Sequence, residues 1–325
     1  MHTNIICEIG SNHDGHIRQA YQMIKLAKSC GADVVKFQIF KAKTLYVKNT
    51  KNFNKYKNVY KLIEGLEVPL SFFRECKNIC DDNDIEFLAT PFDEEAIDFL
   101  MELNVKRMKI ASFEFSDMRL LDLILQTKLP ILASTGLASV SDIERFMSLA
   151  KNSDITLLHC NSAYPTPDRD VHIRAIPHLL KFCSKVGYSD HSEGILAPIL
   201  SVGLGACVIE KHFTLDRKKL GPDHPFAIEP KQFADMVKGI RECEVMLGEH
   251  GLYRSESEKD MMYAKRSIVA DKFIPKGKII ETEDITTKRP GSGIPAIKYF
   301  DVIGLRVIRN IEKDDIIKED DLEFV

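Results

Sequence analysis

Arg18-Gln19-Ala20-Tyr21-Gln22-Met23-Ile24-Lys25-Leu26-Ala27-Lys28-Ser29-Cys30-Gly31, followed after Ala32-Asp33 by Val34-Val35-Lys36-Phe37-Gln38-Ile39, carries the unit from which the fold is read. Ile17, Tyr21, Ile24 and Ala27 recur at helical spacing, Gly31 supplies a stop, and the β-branched run after it has the length of a strand. The same alternation continues outward in both directions. Strands are expected at 5–9, 34–39, 86–90, 107–111, 131–134, 156–159, 185–188 and 207–211, with helices at 18–30, 69–82, 94–103, 139–151 and 230–247 between them. Strict alternation implies a parallel sheet. Eight repeats over about 250 residues point to a closed (β/α)8 TIM barrel, an open doubly wound sheet being the other architecture the pattern allows.

The periodicity breaks after Leu247. Residues 248–265 read as a linker, and 266–325 as a small β-rich unit with an internal repeat. Ile274-Pro275-Lys276-Gly277-Lys278-Ile279-Ile280 with Asp284-Ile285 matches Ile311-Glu312-Lys313-Asp314-Asp315-Ile316-Ile317 with Asp321-Leu322, every apolar position keeping one offset. A unit of this size is only marginally able to stand alone, so docking on the barrel or on a partner subunit is expected.

The 325 residues are 44% hydrophobic and 29% charged, which excludes disorder and allows a large core. Lys+Arg 45 against Asp+Glu 48 leaves a net charge of −3, without the broad basic footprint of a nucleic-acid binder. The start lacks a basic, apolar leader, and the longest charge-free stretch, 194–209, falls short of the roughly 18 apolar residues of a membrane span. That stretch reads as a buried helix entering a strand. The eight cysteines include no CxxC pair and fit reduced, buried thiols, so a cytoplasmic protein is expected.

On a barrel, chemistry belongs at the C-terminal ends of the strands, and polar residues gather there: Glu8, Lys36, Gln38, Thr90, Lys109, Ser112, Glu114, Ser134, Ser162, Ser189, His191, Glu210 and His212. A single polar residue on a strand is usually a satisfied core group. Two lysines in apolar runs are harder to dismiss, because a buried lysine needs a partner. Lys36 and Lys109, with Ser112, Ser134 and Ser189, form a pocket for a phosphate or carboxylate; internal ion pairs to Glu8, Glu114 or Glu210 are the competing reading. His191 and His212 end neighbouring strands and are placed to share one ion, with Asp223 and water completing an open Mn²⁺ or Mg²⁺ site. His13 competes as a ligand or as an acid/base group.

The strings Glu8-Ile9-Gly10-Ser11-Asn12-His13-Asp14-Gly15, Val35-Lys36-Phe37-Gln38, Lys109-Ile110-Ala111-Ser112-Phe113-Glu114, Tyr164-Pro165-Thr166-Pro167, Gly187-Tyr188-Ser189-Asp190-His191, Ile209-Glu210-Lys211-His212-Phe213-Thr214 and Gly221-Pro222-Asp223-His224 resemble those of the sialic acid synthase family. Lys288-Arg289-Pro290-Gly291-Ser292-Gly293-Ile294 resembles that family's antifreeze-like (SAF) domain. The resemblance runs through the whole chain in order. It implies a transferase that condenses phosphoenolpyruvate with an N-acylated amino-hexose aldehyde, such as N-acetylmannosamine, to give a nine-carbon 2-keto acid and phosphate. It further implies a divalent cation, commonly Mn²⁺ with Mg²⁺ or Co²⁺ as substitutes, and a domain-swapped homodimer. By resemblance, His191 and His212 hold the metal, Lys36 and Lys109 with the three serines grip phosphate and carboxylate, and Glu8 is the acid/base group. Gln38, Thr90, Phe92, Glu114, Ser162, Tyr164 and Asp223 line the cavity, and Arg289 reaches into the partner's site.

Departures bear on the sugar. Phe113 looks more like pseudaminic acid synthases, and Ser162 stands where some sialic acid synthases have Asn, whereas Gly221-Pro222-Asp223-His224 and Arg289-Pro290-Gly291 look closer to the neuraminate type. Two other classes are compatible with the residues alone: a barrel aldolase using Lys36 or Lys109 as a Schiff-base nucleophile, and a non-catalytic carbohydrate- or ice-binding protein.

Overall fold

The computed structural model describes residues 2–48, 58–249 and 251–324. Parts of the expected barrel (1 and 49–57), residue 250 of the linker and the terminal residue 325 lie outside the described residues. The chain divides into two compact units, Met1–Gly248 and Glu249–Val325.

The first unit is the expected TIM barrel. Its strands are β1 (Asn4–Gly10), β2 (Val34–Ile39), β3 (Glu86–Pro91), β4 (Met108–Ile110), β5 (Ile131–Ser134), β6 (Ile155–Cys160), β7 (Val186–Asp190) and β8 (Val208–His212). All neighbours pair in parallel, in the order β3-β2-β1-β8-β7-β6-β5-β4. β3 and β4, at the ends of that order, lie against each other, so the sheet closes and the open-sheet alternative falls away. Strand alternation sorts the side chains into two populations. Ile5, Cys7, Ile9, Val35, Phe37 and Ala89 pack outward with the helices. Ile6, Val34, Leu88, Leu132, Leu158 and Val208 fill the barrel itself. Each such aliphatic side chain contributes ~1.5–3 kcal/mol on burial. The next inward position on each strand carries the polar residues, which the apolar layer beneath shuts off from the barrel floor.

Several expectations need correction. The helix Ile17–Ser29 buries Ala20, Met23, Ile24 and Ala27, while Tyr21 is exposed with the Lys25 ammonium over its ring. The two alanines let this helix approach the sheet closely, and the tyrosine keeps its hydroxyl in water. The helix Leu196–Gly203 buries Pro198, Ser201 and Val202 but exposes Leu196 and Leu200, so it is partly exposed rather than buried. The nine-residue helix Met118–Gln126 was not expected; Asp117 caps it by accepting from the Arg119 and Leu120 N–H groups. All eight cysteines are free thiols. No helix among the described residues is long and apolar enough to cross a membrane.

In the second unit the stretch read as a linker contains a capped 3-10 helix, Glu256–Ala264. Beyond it the strands are short: β9 (Ser267–Ala270) pairs with β10 (Ile285–Lys288), and β11 (Arg306–Val307) with β12 (Leu322–Glu323). The repeat folds as two equivalent halves. Ile274 and Ile311 exchange backbone hydrogen bonds of 2.9 Å in both directions, joining the copies at their first matched position. Asp284 is held by Lys272 and Lys278, Asp321 by Arg309, and each aspartate also caps its own turn through the N–H of Glu281 or Lys318. Ile268, Ile280, Val307 and Ile317 belong to a core wholly within this unit.

Candidate active site

Polar inward residues of seven strands meet above the apolar layer. Lys36 Nζ on β2 stands 3.2 Å from Glu8 Oε2 on β1 and 3.5 Å from Glu210 Oε1 on β8, and donates to Thr90 Oγ1 on β3. Lys109 Nζ on β4 donates to Ser134 Oγ on β5 at 2.7 Å and to the Ile110 carbonyl, and stands 3.7 Å from the same Glu210 oxygen. Ser189 on β7 donates to Glu210 Oε1 at 2.9 Å, and Gln38 donates to Glu8 Oε1 at 2.6 Å. Both lysines are therefore ion-paired here, with Glu8 and Glu210 as the partners; Glu114 makes no such pair.

Electrostatics follow from burial. Desolvation pushes the Glu8 carboxyl up to about 7 against the opposing pull of Lys36. Glu210 is equally buried, but Lys109, Lys36 and the Ser189 hydroxyl outweigh desolvation and hold it below the ordinary range. Burial lowers Lys109, whereas the two carboxylates overcome the same effect at Lys36 and raise it. One carboxyl primed to hold a proton beside one kept ionised is an acid/base arrangement.

The imidazoles of His191 and His212 face each other with ring centroids 5.4 Å apart. Nδ1 of His191 donates to the Asn161 carbonyl at 2.7 Å, which fixes the tautomer and leaves Nε2 as a lone-pair donor. Nδ1 of His212 is buried without a hydrogen-bond partner, 4.0 Å from Asp223 Oδ2. Burial, reinforced by His191 and Lys36, pushes His212 well down and keeps it neutral. The unpartnered His212 Nδ1, the second ring nitrogen of His191 and the Asp223 carboxylate are donor types that suit a divalent cation of mixed N/O preference; burial lowers His191, but Cys160 and the Asn161 carbonyl outweigh it and raise that imidazole. Among the described residues no three His, Cys, Asp or Glu form a group able by itself to hold a metal ion.

Asp223 is held by Ser11, whose hydroxyl donates to Oδ2 at 3.1 Å. Gly10, at φ +55, lies so close that a Cβ would sit 2.9 Å from the same oxygen. Ser112 accepts from the Gly136 N–H at 3.1 Å, and a Cβ on Gly136 would collide with Ser112 and Ser162. The Ser162 hydroxyl and Glu114 Oε2 are buried without partners, and desolvation pushes Glu114 up to about 7. The Tyr164 ring packs at a tilt against His191 with centroids 4.1 Å apart and also contacts Phe226. Phe92 packs edge-on against Phe40 just past β3. Phe113 is exposed. Arg289 is an exposed residue at the end of β10 in the second unit.

His13 does not join them. Its ring packs against Phe72 at 4.6 Å and near Phe37 and Phe73 on the helix side of the strands, Nδ1 accepts from the Gly15 N–H, and burial drives it down to about 4. It is a packed core histidine. Conversely, Ser11, Cys160 and Phe226 belong to the site unannounced, Cys160 Sγ standing 3.7 Å from His191 Nδ1. Glu210, which entered only as a possible lysine partner, is the carboxylate that joins both lysines.

A TIM barrel with acid/base carboxyls, buried ammonium groups and an imidazole pair at the C-terminal ends of its strands, continued by a SAF domain, defines the class of protein. The NeuB family model matches residues 23–251 and the SAF domain model residues 265–323. The chain belongs to the NeuB family, whose members include the sialic, pseudaminic and legionaminic acid synthases. It is 38% identical to the N,N'-diacetyllegionaminic acid synthase of Campylobacter jejuni over 98% of this chain and 99% of that one. Identity to a pseudaminic acid synthase of Campylobacter jejuni is 35%, covering 98% and 96% of the two chains. Among solved structures, the N-acetylneuraminic acid (sialic acid) synthetase of Leptospira borgpetersenii, in complex with citrate, superimposes with a TM-score of 0.75 at 34% identity, covering 80% of this chain and 90% of that one.

Proposed function

We propose that this chain is a nonulosonic acid synthase, joining phosphoenolpyruvate to an N-acylated amino-hexose aldehyde with release of phosphate by C–O cleavage. The observation that carries the reading is the ion-paired chain Glu8–Lys36–Glu210–Lys109 beside the His191–His212 pair, anionic recognition and a cation site sharing one barrel mouth. Lys36 and Lys109, with Ser112, Ser134 and Ser189, bind the phosphate and carboxylate of the enol ester and hold C3 toward the aldehyde. His191 and His212, with Asp223, would hold a divalent cation, Mn²⁺ foremost, which when bound polarises the aldehyde. C3 attacks the aldehyde carbon, water adds at C2, and the tetrahedral hemiketal phosphate expels phosphate. Glu8 exchanges the protons this requires. Gln38, Thr90, Phe92, Glu114, Ser162 and Tyr164 line the sugar cavity, and Arg289 contacts the sugar's acyl group across a homodimer.

The relatives' names divide between legionaminic, pseudaminic and sialic acids, and the sugar here belongs to that set of N-acylated aldehydes. Lys109, whose ammonium burial disfavours, is the group a Schiff-base aldolase would use; borohydride trapping with substrate separates the two, since the proposed route forms no imine. The test is phosphate release from phosphoenolpyruvate with N-acetylmannosamine, its 6-phosphate and a diacetamido-trideoxyhexose, with Mn²⁺ or with EDTA. Activity with one sugar and its loss in EDTA is expected. Silence with every sugar under Mn²⁺ ends the proposal.

A further inference from the structure

Behind the two imidazoles lies a second charged group that the reaction does not use. Asp190 and Lys211 are register partners on β7 and β8, each one residue before His191 or His212. Strand alternation puts their side chains on the helix side of the wall and the imidazoles on the barrel side. Lys211 Nζ donates to Asp190 Oδ2 at 2.5 Å and to the Ser192 carbonyl. Asp190 Oδ1 accepts from the Tyr188 hydroxyl at 2.7 Å and from the Ser192 N–H at 2.8 Å. Both charged side chains are about 1% exposed. The backbone beyond β7 is thereby gripped on both sides of His191. Thr166 donates its N–H to the His191 carbonyl at 2.9 Å, so the loop carrying Tyr164 hangs from the same strand end.

A fully buried ion pair is a poor source of stability compared with apolar side chains of similar volume, because desolvation offsets the attraction. What this pair supplies is position. It crosses from one strand to the next and fixes how far each end advances before its histidine turns inward. We infer that Asp190 and Lys211, braced by Tyr188, are positioning residues that set the spacing of His191 and His212 and hence the affinity of the site for a divalent cation. The inference rests on the reading of those histidines as the metal pair.

The test is Mn²⁺ binding by the full chain, followed by loss of the free-ion EPR signal, in the unaltered protein and in the double variant Asp190→Leu/Lys211→Met. Removing one partner alone strands a buried charge and endangers folding, whereas the double variant removes both charges together. The double variant is expected to fold, melting lower because the Tyr188 hydroxyl and the Ser192 backbone lose their partners, and to bind Mn²⁺ about 10–100-fold more weakly, the range seen when groups that orient metal ligands are lost. Unchanged Mn²⁺ affinity in the double variant, or its failure to fold, overturns the inference. Absence of Mn²⁺ binding by the unaltered protein removes the metal reading itself, and the inference with it.

Discussion

Gly10 and Asp223 are so close that a methyl group on the Gly10 Cα would stand 2.9 Å from Asp223 Oδ2. The backbone there is also left-handed, at φ +55, which costs an L-residue about 1–2 kcal/mol. Gly10→Ala is therefore expected to lower stability by at least that amount and to displace the Asp223 carboxylate from Ser11. Denaturant unfolding measures the first effect, and a loss of Mn²⁺ affinity the second. An alanine variant as stable as the parent would contradict the crowding.

Lys36 neutralises two carboxylates inside the barrel. Lys36→Met removes the ion pair of Glu8 and leaves Glu210 with Lys109, at an expected cost of about 3–5 kcal/mol. Adding Glu8→Gln to that variant should recover part of the loss without recovering phosphate release. Urea titration of the single and double variants checks the partial rescue, since independent sites would give additive losses.

Glu114 sets a pH dependence whose sign is fixed by burial. Its ordinary value is 4.5 and desolvation raises it to about 7 in the folded chain. The folded state holds this proton more tightly than the unfolded state, so the group is neutral and without cost below about pH 4.5. Stability then falls as pH climbs from there to about 7, by at most ~3 kcal/mol. Glu114→Gln should flatten that part of the melting-temperature profile relative to the parent. Parallel profiles would show that the carboxyl is not desolvated as described.

The repeat in the second unit makes a paired prediction. Asp284 and Asp321 occupy equivalent places, each capping a 3-10 turn while accepting from a basic side chain of its own half. Asp284→Ala and Asp321→Ala should each destabilise by about 1–3 kcal/mol. Thermal melts of the two variants would deny the equivalence if one lost stability and the other lost none.

His191→Ala and His212→Ala should each abolish tight Mn²⁺ binding while far-UV circular dichroism stays unchanged, because neither imidazole is part of the apolar layer. Retained binding in either variant would place the cation elsewhere.

The barrel was legible because alternation is a local signal: 34–39 and 131–134 were bounded to the residue, and β7 and β8 differed only at their ends. The inward lysines were legible as polar residues inside apolar runs, and the imidazole pair because His191 and His212 end neighbouring strands of that alternation. His13 misled because a loop has no periodicity to say which side of the wall a side chain takes; the aromatic cluster of Phe37, Phe72 and Phe73, assembled from two elements, decided it. Glu210 was undervalued although it lies two residues before His212 and so shares its face. Ser11 and Phe226 enter the site by tertiary approach alone, which spacing along the chain does not encode.

The ion-paired chain Glu8–Lys36–Glu210–Lys109 has a bearing on how any anion is captured there. A guest finds no bare positive charge waiting; it must take the ammonium groups over from resident carboxylates. Its grip is a difference between two nearly balanced sets of contacts, and a displaced carboxylate can remain inside only by taking up a proton. Capture at such a floor is an exchange, in which arrival of the guest and protonation of the host are one event.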